Sequence, residues 1–457
     1  MCISLSIILN NKLDDNPKQM FWMKRRIVVA VLASYGFFNV YAFRTCLSVA
    51  IVAMTTTKTT VLGNITVFEE PEFDWNSKLR GYILSSNFYG YTATPIFGGW
   101  LSTKFGGKHV FGVAIIGTGI LNSLIPLSSG ISVYLLIFVR ILQGMFEGLT
   151  HPGINAMWSN WVPPLERTTV VTIALTGTHV GTIVSIVASA WLTDTFGWPT
   201  PFYVFGIITL IWFILWLSFI GETPADDKKI SVLELEYIQK SVGNAQTRHN
   251  VNIPWKAILT SVPVWSIIAA GFADYCITYI ILTELPTYLN DKFNNSISKT
   301  GLFSALPHLA KTVMNLLSGK TADWLLKKQI FTTVQVRKIF TCGAFIAEAM
   351  LLVVTNYVSS FVGTILCLTV SVAIGVCSQS GYRVNILDIA PQHAGVLAGF
   401  TNTMDTTAGI FVTTLTGYIV TGESVNQWQI VFNTISVILA VASVLYGFLA
   451  KGEVQIQ

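Results

Sequence analysis

The chain has 457 residues, 52% hydrophobic and only 11% charged, with a net charge of +5 and a mean hydropathy of +0.60. A soluble domain is roughly a quarter charged, so this composition excludes a soluble enzyme, a nucleic-acid binder and a disordered chain. A polytopic membrane protein remains, and its long, continuous apolar runs exclude the short alternating segments of a β-barrel.

In chain order, Met1–Leu9 is apolar but lacks a basic flank and is too short for a signal peptide. Residues 1–26 are read as a tail, and the first span as an uncleaved anchor. Spans of about 20 apolar residues are predicted at 27–54, 81–101, 109–129, 132–158, 169–193, 201–221, 263–288, 300–318, 338–356, 360–386, 394–420 and 428–449. The polar stretch 222–262, with Asp226, Asp227, Lys228, Lys229 and an amphipathic segment near 231–241, separates an N-terminal half (27–221) from a C-terminal half (263–449). Residues 450–457 form a short second tail.

The two halves repeat. Gly81 and Gly99 recur as Gly301 and Gly319, both at an offset of 220 residues, and each copy runs into a basic loop. Six-helix halves repeated in one orientation are the design of the major facilitator fold. The expected class is therefore an all-α integral membrane protein of twelve transmembrane helices.

Lysine and arginine set the orientation. Nineteen basic residues fall on the side of both termini and five on the other, so both termini are expected in the cytoplasm. The sequons Asn64-Ile65-Thr66 and Asn294-Asn295-Ser296 fall on the side assigned outside. Asn64 has room for a glycan; Asn294 lies too near two helix ends. None of the six cysteines forms a CxxC pair, so no zinc site or disulfide scaffold is expected.

Ionisable side chains at membrane depth are costly and mark function by default. The predicted spans hold Arg44, Arg140, Glu147, His151, His179, Asp274, Glu284, Lys311, Glu348, Arg383 and Asp405. Arg44 reads either as an anchor for an anionic substrate, its planar fork suiting carboxylate or phosphate, or as half of a salt bridge to another helix. Arg140, Gln143 and Glu147 share one helical face and read as a proton-loading site or as a helix-packing clamp between the halves. Asp274 and Lys311 read mainly as a self-neutralising pair. His151, beside Pro152, reads as an edge residue, His179 as a cavity residue, His308 as core, and Gly177–Gly181 as a helix-contact motif.

The candidate substrate contacts are Arg44, Tyr91, His179, Tyr279, Arg383 and Asn385; the candidate coupling or gating residues are Arg140, Glu147, Asp274 and Lys311. No metal and no cofactor is expected beyond Na+ or H+ as coupling ion. The expected partners are a small anion and the lipid bilayer, with no nucleic acid and a monomeric state.

Three groups of residues carry a family resemblance: Arg44-Thr45-Cys46-Leu47-Ser48, Arg140-Ile141-Leu142-Gln143-Gly144 through Glu147-Gly148 and Pro152, and Trp158-Ser159-Asn160-Trp161 through Arg167. With Leu282-Thr283-Glu284-Leu285-Pro286-Thr287-Tyr288 and Leu387-Asp388-Ile389-Ala390-Pro391, they resemble the anion/cation symporter family of the major facilitator superfamily. That family includes sialin, the vesicular glutamate transporters and the sodium-dependent phosphate cotransporters. The chain looks most like its invertebrate branch of inorganic phosphate cotransporters.

The resemblance implies anion transport by alternating access, coupled to Na+ or H+, in a plasma, lysosomal or vesicular membrane. It ties Arg44, Arg140 and Glu147 to substrate binding and proton coupling. The departures are Cys46 for the family's Asn, Thr103 for Asp, Asp274 for the arginine of the glutamate transporters, and Arg383 and Ile386 for Asn and His. An anion channel and a non-transporting receptor are the rival readings.

Overall fold

The computed structural model describes residues 24–55, 58–62, 65–163, 166–243, 254–293, 297–390, 394–421 and 425–455. Among the described residues, twelve helical spans form one bundle. Span 1 is Arg25–Thr55. Span 2 is Ser77–Ala93 continued by Pro95–Phe105. Span 3 is Gly107–Ser123 with Ile125–Ile131, bent by 43°. Span 4 is Val133–Gly148 with Thr150–Trp161, span 5 Arg167–Phe196 and span 6 Thr200–Phe219.

After the linker, span 7 is Val262–Thr283 with Leu285–Phe293, and span 8 is Ile297–Lys327. Span 9 runs from Thr333–Lys338 through a π-helical turn, Ile339–Gly343, into Ala344–Thr355. Span 10 joins Phe361–Gly375 to Tyr382–Ile389 through the 3-10 turn Val376–Ser380. Span 11 is Ala394–Ile419 and span 12 Val425–Leu449.

Three of the breaks inside the spans, those of spans 2, 3 and 7, have a common cause. Pro95, Pro126 and Pro286 each sit in the first turn of the second piece, where a missing N–H costs nothing. Span 8 runs nine residues beyond its predicted end at 318, so Lys320 and Lys327 continue the helix. Among the described residues, spans 2, 8 and 11 fall short of the length and hydropathy that mark the others as membrane-crossing. Span 2 packs against span 11 and span 8 against span 5, across the two halves.

The segment read as a loop at 55–78 contains a short hairpin. Strand β1 (Lys58–Leu62) pairs antiparallel with β2 (Ile65–Glu69), Lys58 opposite Glu69. The threonine and β-branched content of both segments favours strands. Asn64 and Asn294, the two sequons, lie outside the described residues.

The linker is not loose. Helix Val232–Gly243 sits against the N-terminal half through ion pairs. Arg26 donates to Glu166 Oε2 at 2.6 Å and to Glu234 Oε1 at 3.1 Å, and Arg25 to Asp227 Oδ2 at 2.6 Å. Arg25 and Arg26, counted from the sequence as tail charges, are therefore buried structural cations.

Candidate substrate cavity

A cavity of about 780 Å³ lies between the halves. Span 2 gives it Tyr91, span 4 His151 and Asn155, span 10 Arg383, and span 11 Asn402 and Asp405. Trp255 of the linker also borders it, so the cavity lies toward the linker end of the bundle.

The hairpin end is closed by two related seams. Gly81 of span 2 meets Gly417 of span 11 so closely that a Cβ on Gly81 would stand 2.8 Å from the Thr413 carbonyl oxygen and 3.0 Å from Gly417 Cα. Beside them the hydroxyls of Tyr82 and Tyr418 share a hydrogen bond. In the other seam, Gly301 of span 8 abuts Ala190 of span 5, and Ser298 Oγ donates to Asp194 Oδ2 at 2.7 Å. Of the glycine repeat read in the sequence, Gly81 and Gly301 thus occupy equivalent places in the two inter-half contacts, whereas a Cβ on Gly99 or Gly319 would meet nothing within 4 Å.

On the N-terminal side, Arg44 Nε donates to Glu147 Oε2 at 2.8 Å. The guanidinium also lies 4.9 Å from the Tyr91 ring and 5.0 Å from the Tyr41 ring, both cation–π distances. Asn87 Nδ2 donates to the same Glu147 oxygen at 3.1 Å, while Arg140 turns to Gln143 Oε1 at 2.8 Å. Arg44, Arg140 and Glu147 are all buried. Of the two readings of Arg44, the salt bridge to another helix is the one formed in this conformation.

On the C-terminal side, Asp274 Oδ2 accepts from Gln379 Nε2 and from Tyr382 Oη, both at 2.9 Å. Lys311 donates instead to Thr278 Oγ1 at 2.6 Å. The expected direct Asp274–Lys311 pair is therefore not formed among the described residues: the ammonium is turned to Thr278 on span 7. Arg383 is exposed in the cavity wall, with its guanidinium bonded to the Tyr275 hydroxyl and over its ring.

The remaining candidates are distributed as follows. Tyr279 is buried between Phe88 and Tyr275. His179 is half-buried on span 5. Asn385 Nδ2 is directed at Tyr446 Oη, 2.8 Å away in span 12. His151 is no edge residue: it lines the cavity and stacks 5.1 Å from the Phe37 ring, because the helix restarts at Thr150 rather than ending there. Gly177 and Gly181 pack on Ser34 and Phe38 of span 1, as a helix-contact motif should.

Sequence reasoning left several residues unassigned. Asn87 lies one turn before Tyr91 on the same face of span 2, and that spacing was the available signal. Gln379, Tyr382 and Tyr275 carried none, since they converge only through the folding of spans 7 and 10. Asp405 was noted as an intramembrane acid without a role. Among the described residues no three His, Cys, Asp or Glu side chains converge on a metal-sized site.

The profile of the Major Facilitator Superfamily matches residues 33–414. Vesicular glutamate transporter 1 of Bos taurus is 37% identical over 439 residues, covering 95% of this chain and 78% of its own length. Sialin of Homo sapiens is 37% identical over 446 residues, covering 94% of this chain and 90% of its own. Two solved structures share the fold. A bacterial homolog of the human lysosomal transporter Spinster, inward-facing and unoccupied, has a TM-score of 0.70 at 13% identity, covering 93% of this chain and 96% of its own. The inward open xylose transporter XylE from E. coli has a TM-score of 0.69 at 13% identity, covering 94% and 97%. The chain belongs to the major facilitator superfamily, as a multi-pass membrane transporter related to sialin and the vesicular glutamate transporters.

Proposed function

We propose that the protein moves a small anion across its membrane by alternating access, coupled to H+ or Na+, with the linker end and both termini in the cytoplasm. The observation that carries this reading is a cation, Arg383, exposed in the wall of a cavity between two halves that are closed at the opposite end. A guanidinium in a site of low polarity attracts carboxylate or phosphate strongly. The cavity volume falls in the range of pockets that hold small organic molecules, about 300–1,000 Å³, and favours an organic anion over bare phosphate.

The N-terminal residues contribute one part of the coupling. With Arg44 held by Glu147, protonation of Glu147 would free the arginine for substrate, and arrival of the anion would release the carboxylate for a proton. Either change biases the equilibrium between the two end states, because only differential interaction shifts populations. Sialic acid and phosphate are the first anions to test, since Asp274 stands where the glutamate transporters carry arginine and so disfavours glutamate. The orientation rests on the excess of basic residues at the linker end, and Asn64 is the proposed glycan acceptor.

The test is uptake into proteoliposomes of labelled phosphate, sialic acid and glutamate, under separately imposed Na+ and proton gradients. Uphill accumulation of one of them supports the reading. Transport that only ever equilibrates the anion would favour a channel, and no transport of any anion would sink both.

A further inference from the structure

At membrane depth, apart from Glu284 beside Gly81 and Gly417 at the closed end, the bundle holds four cations, Arg44, Arg140, Lys311 and Arg383, and four carboxylates in the spans around them, Glu147, Asp274, Glu348 and Asp405. A chamber so balanced gains no charge advantage by admitting an anion unless one carboxylate is neutralised. Three of the four are poorly placed for that exchange in the open cavity. Glu147 is tied to Arg44 and Asn87, Asp274 accepts two hydrogen bonds, and Glu348 lies against Gly375 away from the cavity lining. Asp405 differs. Of the four it alone lines the cavity; it is 3% exposed, and its Oδ1, like Glu147 Oε1 and Glu348 Oε2, is buried with no hydrogen-bond partner among the described residues.

The neighbours of Asp405 sharpen its role. Span 7 offers Gly271, where any Cβ would fall on the Asp405 carboxylate, followed by Asp274 and Tyr275. Span 10 contributes Arg383 and Tyr382, span 2 Tyr91, and span 4, across the cavity, His151. Arg383 is the one cation in the cavity wall, and no ion pair joins it to Asp405 among the described residues.

We propose that Asp405 is a proton-carrying carboxylate of the C-terminal half, whose neutralisation releases Arg383 to bind the transported anion. This rests on the anion-transport reading above. From the outer side, a hydronium ion gives its proton to Asp405 Oδ1, forming the O–H bond and leaving water. Arg383 is then uncompensated and takes the anion. After the change of state the anion leaves to the cytoplasmic side, the Oδ1–H bond breaks to a water molecule there, and the carboxylate again balances Arg383. One proton and one anionic charge cross together.

The first test needs no substrate: infrared difference spectra of the purified protein, stepped from acidic to alkaline buffer. Wild type should lose a protonated-carboxyl band that is missing in Asp405→Asn and retained in Glu147→Gln. A band unchanged by Asp405→Asn overturns the proposal. The second test uses proteoliposomes and whichever of phosphate, sialic acid or glutamate wild type accumulates. Asp405→Asn should lose proton-driven accumulation about tenfold while anion exchange at equal pH stays within about twofold, since one protonation no longer biases the two states. Asp405→Glu should restore the proton dependence. Equal accumulation by Asp405→Asn and wild type overturns the role of Asp405 alone, whereas failure of wild type to accumulate any anion overturns the transport reading. Accumulation driven by Na+ with no effect of pH overturns the proton assignment.

Discussion

Arg44 of span 1 and Glu147 of span 4 are 103 residues apart in sequence, yet Arg44 Nε stands 2.8 Å from Glu147 Oε2 with both side chains buried. Breaking a buried pair by removing one partner leaves the other charge uncompensated, at a cost of about 3–5 kcal/mol. Arg44→Ala should therefore lower thermal stability in detergent more than Arg44→Ala combined with Glu147→Gln. Fluorescence-detected unfolding of the three proteins checks this; equal losses in the single and double variants would mean the pair is energetically idle.

Arg383 is the cation open to the cavity. Arg383→Ala should raise KM for the transported anion about tenfold or more, with Arg383→Lys intermediate because an ammonium cannot reproduce the guanidinium fork. Initial-rate uptake resolves the split. A change confined to kcat would assign Arg383 to the conformational step instead.

The Gly81–Gly417 seam leaves no space for a side chain. Gly81→Leu should hold the hairpin end apart and trap the transporter with that end open, abolishing uptake while leaving the protein folded. The expected sign is labelling of a cysteine placed at Thr416 by an impermeant thiol reagent, at least about tenfold faster than in the parent, in line with a displaced two-state equilibrium. Gly301→Leu should do the same from the other seam. Unchanged labelling in both variants would show that neither contact controls the closure.

At the linker end, Arg26 grips Glu166 bidentately, at 2.6 and 2.9 Å, and Glu234 at 3.1 Å, with the Tyr237 ring 5.1 Å from its guanidinium. Arg26→Ala should release helix Val232–Gly243, and tryptic cleavage at Lys240 should accelerate severalfold in limited proteolysis. Local release lowers the opening free energy of that segment without unfolding the bundle. Cleavage at the wild-type rate would mean that the other contacts suffice.

The spans were legible because hydrocarbon demands long apolar helices, and no other solution satisfies their backbone groups. Their internal breaks were less so, although Pro95, Pro126 and Pro286 announced them. The β1–β2 hairpin was missed because a ten-residue strand pair leaves little period to read. Among the site residues, the face shared by Arg140, Gln143 and Glu147 was visible as helical spacing. The partner of Glu147 was not, since nothing in span 4 points to span 1.

The sequence alone determined a membrane bundle of two repeated halves, with charges placed where lipid cannot tolerate them, because transfer free energies act residue by residue. The tertiary structure decided how those charges combine. It joined Arg44 to Glu147, gave Asp274 to Gln379 and Tyr382 rather than Lys311, and left Arg383 and Asp405 in the cavity wall. Pairing energies depend on distances between helices far apart in the chain, and those distances exist only after the halves have closed at one end and parted at the other.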